Sequence, residues 1–229
     1  MISVIIPTLN AERELGQTLA ALIPATVDGL VREVIIADGG STDGTLAIAD
    51  AVGAAIVSAE TGRGTQLRAG AERARFPWLL FLHADTVLEP GWHEEAGAFI
   101  DAVETGRRSL AAAAFRFALD DVGVRPRLLE AGVGARCALL RLPYGDQGLL
   151  VPARLYREIG GYRPMPLMED VDLVRRLGRR RITLLRARAI TSAVRYRHHG
   201  YGRRVVRNLT CLALYYLRVP AQTIARFYG

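Results

Sequence analysis

Four short clusters in the 229-residue chain carry side chains able to do chemistry, and each borders an apolar run. The first is Pro7-Thr8-Leu9-Asn10. The second is Asp38-Gly39-Gly40-Ser41-Thr42-Asp43. The third is His83-Ala84-Asp85, closing the continuous apolar run 78–82. The fourth is Met168-Glu169-Asp170, opening the amphipathic stretch 171–177. Turn and cap needs account for the glycines, for Asn10, and for Ser41 or Thr42. They do not account for Asp38, whose carboxylate at a strand end can accept from a base N–H or a ribose hydroxyl. Asp85 can bond its own loop, or it can hold a hard divalent cation that in turn holds phosphates. Two acids at a helix start suit the macrodipole alone. Facing a crevice, Asp170 is instead placed as a general base.

These clusters need a frame to bring them together. Residues 2–6, 33–37, 54–57 and 78–82 read as strands, and 12–22, 42–52 and 64–75 as helices. The alternation predicts βαβ units and a mostly parallel α/β sheet with right-handed crossovers. Ligands collect outside the carboxyl ends of such strands, where the first three clusters fall. Further on, 91–103 predicts a helix and 109–119 a strand. Residues 120–141 predict loop and helix, 146–152 a short strand, and 153–159 a helix stopped by Gly160-Gly161. Residues 169–177 predict a helix and 182–185 a strand. The expected organisation is one domain over 1–204 with a C-terminal helical extension over 205–229. Its apolar stretch, 205–219, is too short and too charged for a membrane span. It can dock on the core, pair two subunits as a homodimer, or lie in a membrane interface with its arginines on headgroups.

Composition narrows the field. Half of the residues are hydrophobic, enough for a sizeable core. The two cysteines, Cys137 and Cys211, show neither disulfide nor zinc spacing, which fits a reducing compartment. The first strand-like run begins at residue 2, which predicts no signal peptide ahead of it and a cytoplasmic chain, peripheral at the inner membrane face if the extension docks there. The net charge of +7 is uneven: residues 1–120 sum to −7 and residues 121–229 to +14, all cationic side chains being arginine. A basic C-terminal half implies an anionic partner. Gly62-Arg63-Gly64 is not part of a GxGxxG, and with no lysine no P-loop is possible. No GxSxG, HExxH or CxxC occurs, and no sequence-specific nucleic-acid module is present.

In combination, the stretches PTLNAERELGQTLAAL (7–22), EVIIADGGSTDGT (33–45), LLFLHADT (79–86) and GGYRPMPLMEDVDLVRRL (160–177) resemble family 2 glycosyltransferases of the GT-A fold, over roughly residues 1–185. The stretch GDQGLLVPARLYREIGGY and the RHHG-plus-apolar tail are similar to a bacterial subgroup associated with arsenosugar biosynthesis and radical-SAM neighbours. The resemblance implies a Rossmann-like nucleotide half joined to an acceptor half. It implies attack by an acceptor on C1 of a nucleotide-diphosphate sugar, UDP-linked, with inversion. Pro7, Thr8 and Asp38 match nucleotide-contacting positions. Asp85 matches the last acid of the DXD metal motif, so the implied cofactor is a divalent cation, Mn2+ or Mg2+. Glu169-Asp170 matches the ED motif, with Asp170 the catalytic base.

The sequence departs from the family at His83, where Asp is usual. His83 either joins Asp85 as a neutral ligand, favouring manganese, or bonds the loop. His198 and His199 offer a further ligand or form a basic surface turn. Arg63, between two glycines that let its backbone approach a ligand, is better placed for a diphosphate than Arg68. Asp146 and Gln147 either bond acceptor hydroxyls or serve internal structure. Two rival readings stand beside this one. A sugar-phosphate nucleotidyltransferase normally needs a glycine-rich loop with Arg and Lys after the first strand, and 7–11 lacks it. A non-catalytic nucleotide-sugar binder docked on a membrane or partner is disfavoured by an acid at position 170.

Overall fold

A computed structural model describes residues 1–228, with His199 described by its backbone alone. The first half alternates as the periodicity predicts. Strand β1 (Ile2–Thr8) is followed by α1 (Glu12–Ala20) and the short α2 (Ile23–Val27). Then come β2 (Val31–Asp38), α3 (Thr45–Ala51), β3 (Ala55–Ser58), α4 (Arg63–Arg73) and β4 (Trp78–Phe81). The helix expected over 12–22 is split, because Pro24 starts a new turn at α2.

The second half adds β5 (Thr86–Leu88), α5 (Trp92–Glu104), β6 (Ala112–Asp120) and α6 (Val124–Leu140). A 3-10 turn at Gly145–Gln147 leads to β7 (Leu149–Pro152) and α7 (Ala153–Glu158). Next are α8 (Glu169–Leu177) and β8 (Ile182–Ser192), and finally α9 (Val194–His199), α10 (Tyr201–Tyr216) and α11 (Ala221–Tyr228). The strand expected over 146–152 therefore starts at 149, since Gly148 sits at φ 63 and breaks the extended run. The strand expected to stop at 185 continues to Ser192, with Arg186 and Arg188 on its exposed side and Ala187 and Ala189 on its buried one.

Eight strands form one sheet in the order β3-β2-β1-β4-β7-β6-β8-β5. The β3-β2-β1-β4 portion is wholly parallel, whereas β7 is antiparallel to both of its neighbours. Strand β8 runs parallel to β6 and antiparallel to β5. Helices cover both faces. Ile2, Val4 and Ile6 of β1 pack towards Leu15 and Leu19 of α1 and Trp92 and Phe99 of α5. Ile5, pointing the other way, packs with Leu67 of α4 and Leu173 of α8. Register places Thr8 beside Asp38, and Asp38 beside Ser58, so three strands end level on one edge.

The C-terminal helices dock on this body. Tyr215 reaches Asp172 of α8, and the Arg175 guanidinium lies 4.9 Å from the Tyr216 ring centroid. The helix that carries the apolar stretch 205–219 begins at Tyr201, and the chain turns at Pro220 into α11. No helix among the described residues is long and apolar enough to cross a membrane.

Candidate active site

Two adjoining cavities lie at the carboxyl ends of β1 and β4. One, of about 430 Å³, is lined by Pro7, Thr8, Asn10, Thr61 and Gln66. The other, of about 140 Å³, is lined by Tyr144, Asp146, Glu169, Asp170, Tyr196 and Arg204. Arg63, His83, Asp85, Ser192 and Arg195 line both. Of the three acids expected to share one cleft, Asp85 and Asp170 line the smaller cavity, where Glu169 and Asp146 join them, and Asp38 lines neither cavity.

Asp38 is different. It is 3% exposed, and its Oδ1 accepts from Thr8 Oγ1 (2.9 Å) and Ser41 Oγ. Its Oδ2 accepts from the backbone of Gly40 and Ser41, both 2.8 Å. Burial opposes its charge, but these four donors outweigh it and hold the pKa below the usual carboxylate value. Asp38 therefore positions Thr8 and the following turn. Both of its oxygens are engaged within the fold, and Asp38 lines neither cavity. Gln66, which the sequence reading missed, completes this edge: its Nε2 donates to Thr8 O (2.7 Å) and Ala37 O (2.9 Å). A glutamine on the buried face of a helix was the available signal.

The His83-Asp85 tip is a turn closed by Thr86 N donating to His83 O. Asp85 O accepts from Ser192 N (3.0 Å), which ties the tip to the end of β8. Burial, helped by the nearby Arg63, lowers the His83 pKa to about 4 against the pull of Asp85 and Asp170. The imidazole is thus neutral with a free lone pair at physiological pH.

Asp170 is the second residue of α8, whose N-cap Met168 adopts a left-handed φ of 66. Its Oδ2 accepts from Gly145 N at 2.8 Å. A Cβ at Gly145 would lie 2.6 Å from His83 Nε2 and 3.5 Å from Asp170 Oδ2, so a larger residue would have to push the His83 ring aside. Glu169 is 2% exposed, and burial raises its pKa to about 7 despite Arg63 Nη1 at 3.6 Å. Burial works against the Arg63 charge, yet Glu169, Asp170, Tyr228 and Asp85 together keep its pKa raised.

Asp146 faces the smaller cavity with Oδ1 unpartnered, and burial pushes its pKa up to about 6. Tyr144 has an unpartnered hydroxyl, its pKa raised by burial to about 12, under an Arg136 guanidinium 3.5 Å from the ring centroid. Gln147 does not join them. Its Nε2 donates to Phe115 O and its Oε1 accepts from Tyr144 N and Arg136, so the acceptor-contact expectation for it is corrected. The His199 side chain lies outside the described residues. Gly145, Tyr144, Arg195 and Arg204 were not singled out from sequence, and only the tertiary juxtaposition reveals them.

A divalent cation can be tested against this donor set. Among the described residues no group of three or more His, Cys, Asp or Glu side chains could hold a metal. The candidates are one carboxylate, Asp85, and one neutral imidazole, His83. A carboxylate–imidazole pair suits manganese and leaves coordination positions for ligand oxygens and water. The residues fit a cation shared with a bound anion.

Comparison with known proteins adds to this geometry. The family model described as Glycosyl transferase family 2 matches residues 3–166. The chain is 38% identical over 101 residues to a PGL/p-HBAD biosynthesis glycosyltransferase of Mycobacterium bovis (strain BCG / Pasteur 1173P2), covering 38% of this chain and 36% of that protein. It is 36% identical over 95 residues to glucosyl-3-phosphoglycerate synthase of Mycolicibacterium paratuberculosis, covering 38% and 29% respectively. The matched stretches thus span about a third of these relatives. Among solved structures, glucosyl-3-phosphoglycerate synthase from Mycobacterium tuberculosis with Mn2+, UDP and glucosyl-3-phosphoglycerate superposes with a TM-score of 0.58 at 22% identity, over 91% of this chain and 78% of that one. S. aureus TarS 1-349 gives 0.63 at 18%, over 92% and 64%. Both likenesses establish the shared mixed α/β architecture.

Proposed function

The chain belongs to glycosyl transferase family 2, and from that premise we propose that it moves a sugar from a nucleoside-diphosphate sugar, UDP-linked, to a small hydroxyl-bearing acceptor with inversion at C1. The observation that carries this reading is the shared cavity: Asp170, Asp85, His83 and Arg63 line it together with the unpartnered atoms of Asp146 and Tyr144. The larger cavity takes the nucleotide against Pro7 and Thr8, with Asp38 positioning Thr8. Arg63, common to both cavities, meets the diphosphate. The smaller cavity takes the acceptor.

Asp170 accepts the acceptor hydroxyl proton as that oxygen attacks C1. A new C1–O bond forms, the bond from C1 to the diphosphate oxygen breaks, and the nucleoside diphosphate leaves with the electron pair. The Gly145 amide fixes one oxygen of Asp170, which orients the base. Asp85 and His83 would hold a divalent cation. Such a cation, when bound, offsets charge developing on the leaving group. The solved relative named with Mn2+ and UDP supports that pairing. The similarity of 145–162 and 197–200 to the arsenosugar-biosynthesis subgroup makes an arsenosugar precursor the finer form of the acceptor proposal.

The test is Asp170→Asn. Turnover should fall by about 10²–10⁴-fold, while UDP-sugar affinity by calorimetry stays within a few-fold. Undiminished turnover removes Asp170 as the base.

A further inference from the structure

Between residues 173 and 228 the chain carries fourteen arginines and no Asp or Glu. The proposed reaction uses few of these charges. Helix α10 divides its faces sharply. Arg204, Asn208 and Leu212 turn inward to line the smaller cavity, and Cys211 is fully buried. Val206, Leu209 and Tyr216 turn outward at helical spacing, 63%, 59% and 45% exposed, and Leu217 follows at 75%. Exposed Arg203 and Arg218 flank this stripe. Phe227 of α11 is exposed as well. Helix α5 shows the ordinary alternative, with Glu94, Asp101 and Glu104 at its exposed positions.

A second exposed apolar patch lies on α6, which touches the start of α10. The Tyr201 hydroxyl donates to Asp121, and Tyr201 packs with Leu129 against Val133 and Cys137 of α6. Helix α6 in turn exposes Val124, Leu128, Leu139 and Leu140, and exposed Arg141 follows it.

We infer that the outer face of α10 and α11 docks on an anionic lipid bilayer. Exposed aliphatic side chains between arginines match the two contacts such a surface offers: acyl chains for Val206, Leu209 and Leu217, and headgroup phosphates for Arg203 and Arg218. A nucleic acid would engage the arginines but leave the leucines in water. A second copy of the chain would bring like-charged arginines together. No helix among the described residues is long and apolar enough to span a membrane, so the proposed contact is interfacial. The inward face of the same helix walls the acceptor cavity, so docking would place that cavity against the lipid surface. The docking inference itself is independent of the glycosyl-transfer reading.

The experiment is co-sedimentation of the full chain with vesicles of phosphatidylcholine alone and with about 30% phosphatidylserine, at low and at physiological salt. Binding should be at least about tenfold tighter to the anionic vesicles and should weaken with salt. Val206→Asp with Leu209→Asp should cut that binding by at least about tenfold, with the thermal midpoint unchanged because both side chains are already exposed. Arg203→Glu with Arg218→Glu should remove the preference for phosphatidylserine. Three results overturn the inference: no preference between the two vesicles, anionic binding untouched by the aspartate pair, or a wild-type dimer by light scattering that the aspartate pair dissociates.

Discussion

The two sides of the cleft are finished to different degrees. On the strand-end side, Asn10, Asp38, Asp43 and Gln66 spend their polar atoms on one another's loops. Asn10 Oδ1 accepts from Thr42 N, Asp43 caps Thr45, and Gln66 ties the ends of β1 and β2. On the other side lie three of the five buried side-chain atoms without partners among the described residues: Tyr144 OH, Asp146 Oδ1 and Arg204 Nε. A folded chain rarely leaves buried polar groups unpaired without cause. The first side is therefore a finished cradle, which the proposed reading gives to the nucleotide. The second holds bonds in reserve for a ligand that supplies the missing partners.

Mutations can break this contrast or sharpen it. Beyond Asp170, the largest effect is expected at the joint between the sides. Gly145→Ala forces a methyl into His83 Nε2. It should lower turnover by about a hundredfold through misplacement of the base, and cost about 1–3 kcal/mol in urea unfolding. Next comes the finished side. Gln66→Leu strips the carbonyls of Thr8 and Ala37 of a buried donor. It should cost about 1–3 kcal/mol of stability and raise the donor KM, with kcat nearly unchanged; an unshifted unfolding midpoint would mean the strand ends do not need this clamp. On the reserve side, Asp146→Asn should raise the acceptor KM by about 2–10-fold and leave the donor KM alone. A change in the donor KM instead would erase the assignment of sides.

A further test is a pH slope. Glu169 has its pKa raised from an ordinary 4.5 to about 7, chiefly by burial. The folded state therefore holds the proton more tightly than the unfolded state does. Below pH 4.5 both are protonated and the group is neutral for stability. Between about 4.5 and 7 the unfolded chain ionises first, so stability falls as pH rises, levelling above 7. Glu169→Gln should flatten this window relative to the wild type in denaturant melts taken across it.

What the sequence showed and hid follows the same division. The strand-end side was legible because it is local: periodicity located β1 to β4, and each cluster sits at the end of its own strand. The reserve side depends on segments far apart in the chain. Nothing near Gly145 signals that His83 and Asp170 must close over it, and nothing near Tyr144 signals Arg136 above its ring. Gln147 looked like a ligand contact because its type suits one, yet the carbonyl of Phe115, on a neighbouring strand, claims its amide. Strand β5 escaped because three residues carry no period. Asp38 stood out as more than turn chemistry, yet three of its four donors belong to its own turn and the fourth to β1, thirty residues earlier.

The first turn of α4 has one more implication. A Cβ at Gly64 would lie 2.3 Å from Arg163 O and 3.0 Å from the backbone of Met165, so that segment lies directly on the helix. The loop that delivers Glu169 and Asp170 is therefore not interchangeable cargo. Grafting a relative's 160–168 segment to alter specificity will work only where the foreign backbone lies equally flat on residue 64. A library that randomises this loop alone samples conformations already vetted by a glycine about a hundred positions upstream.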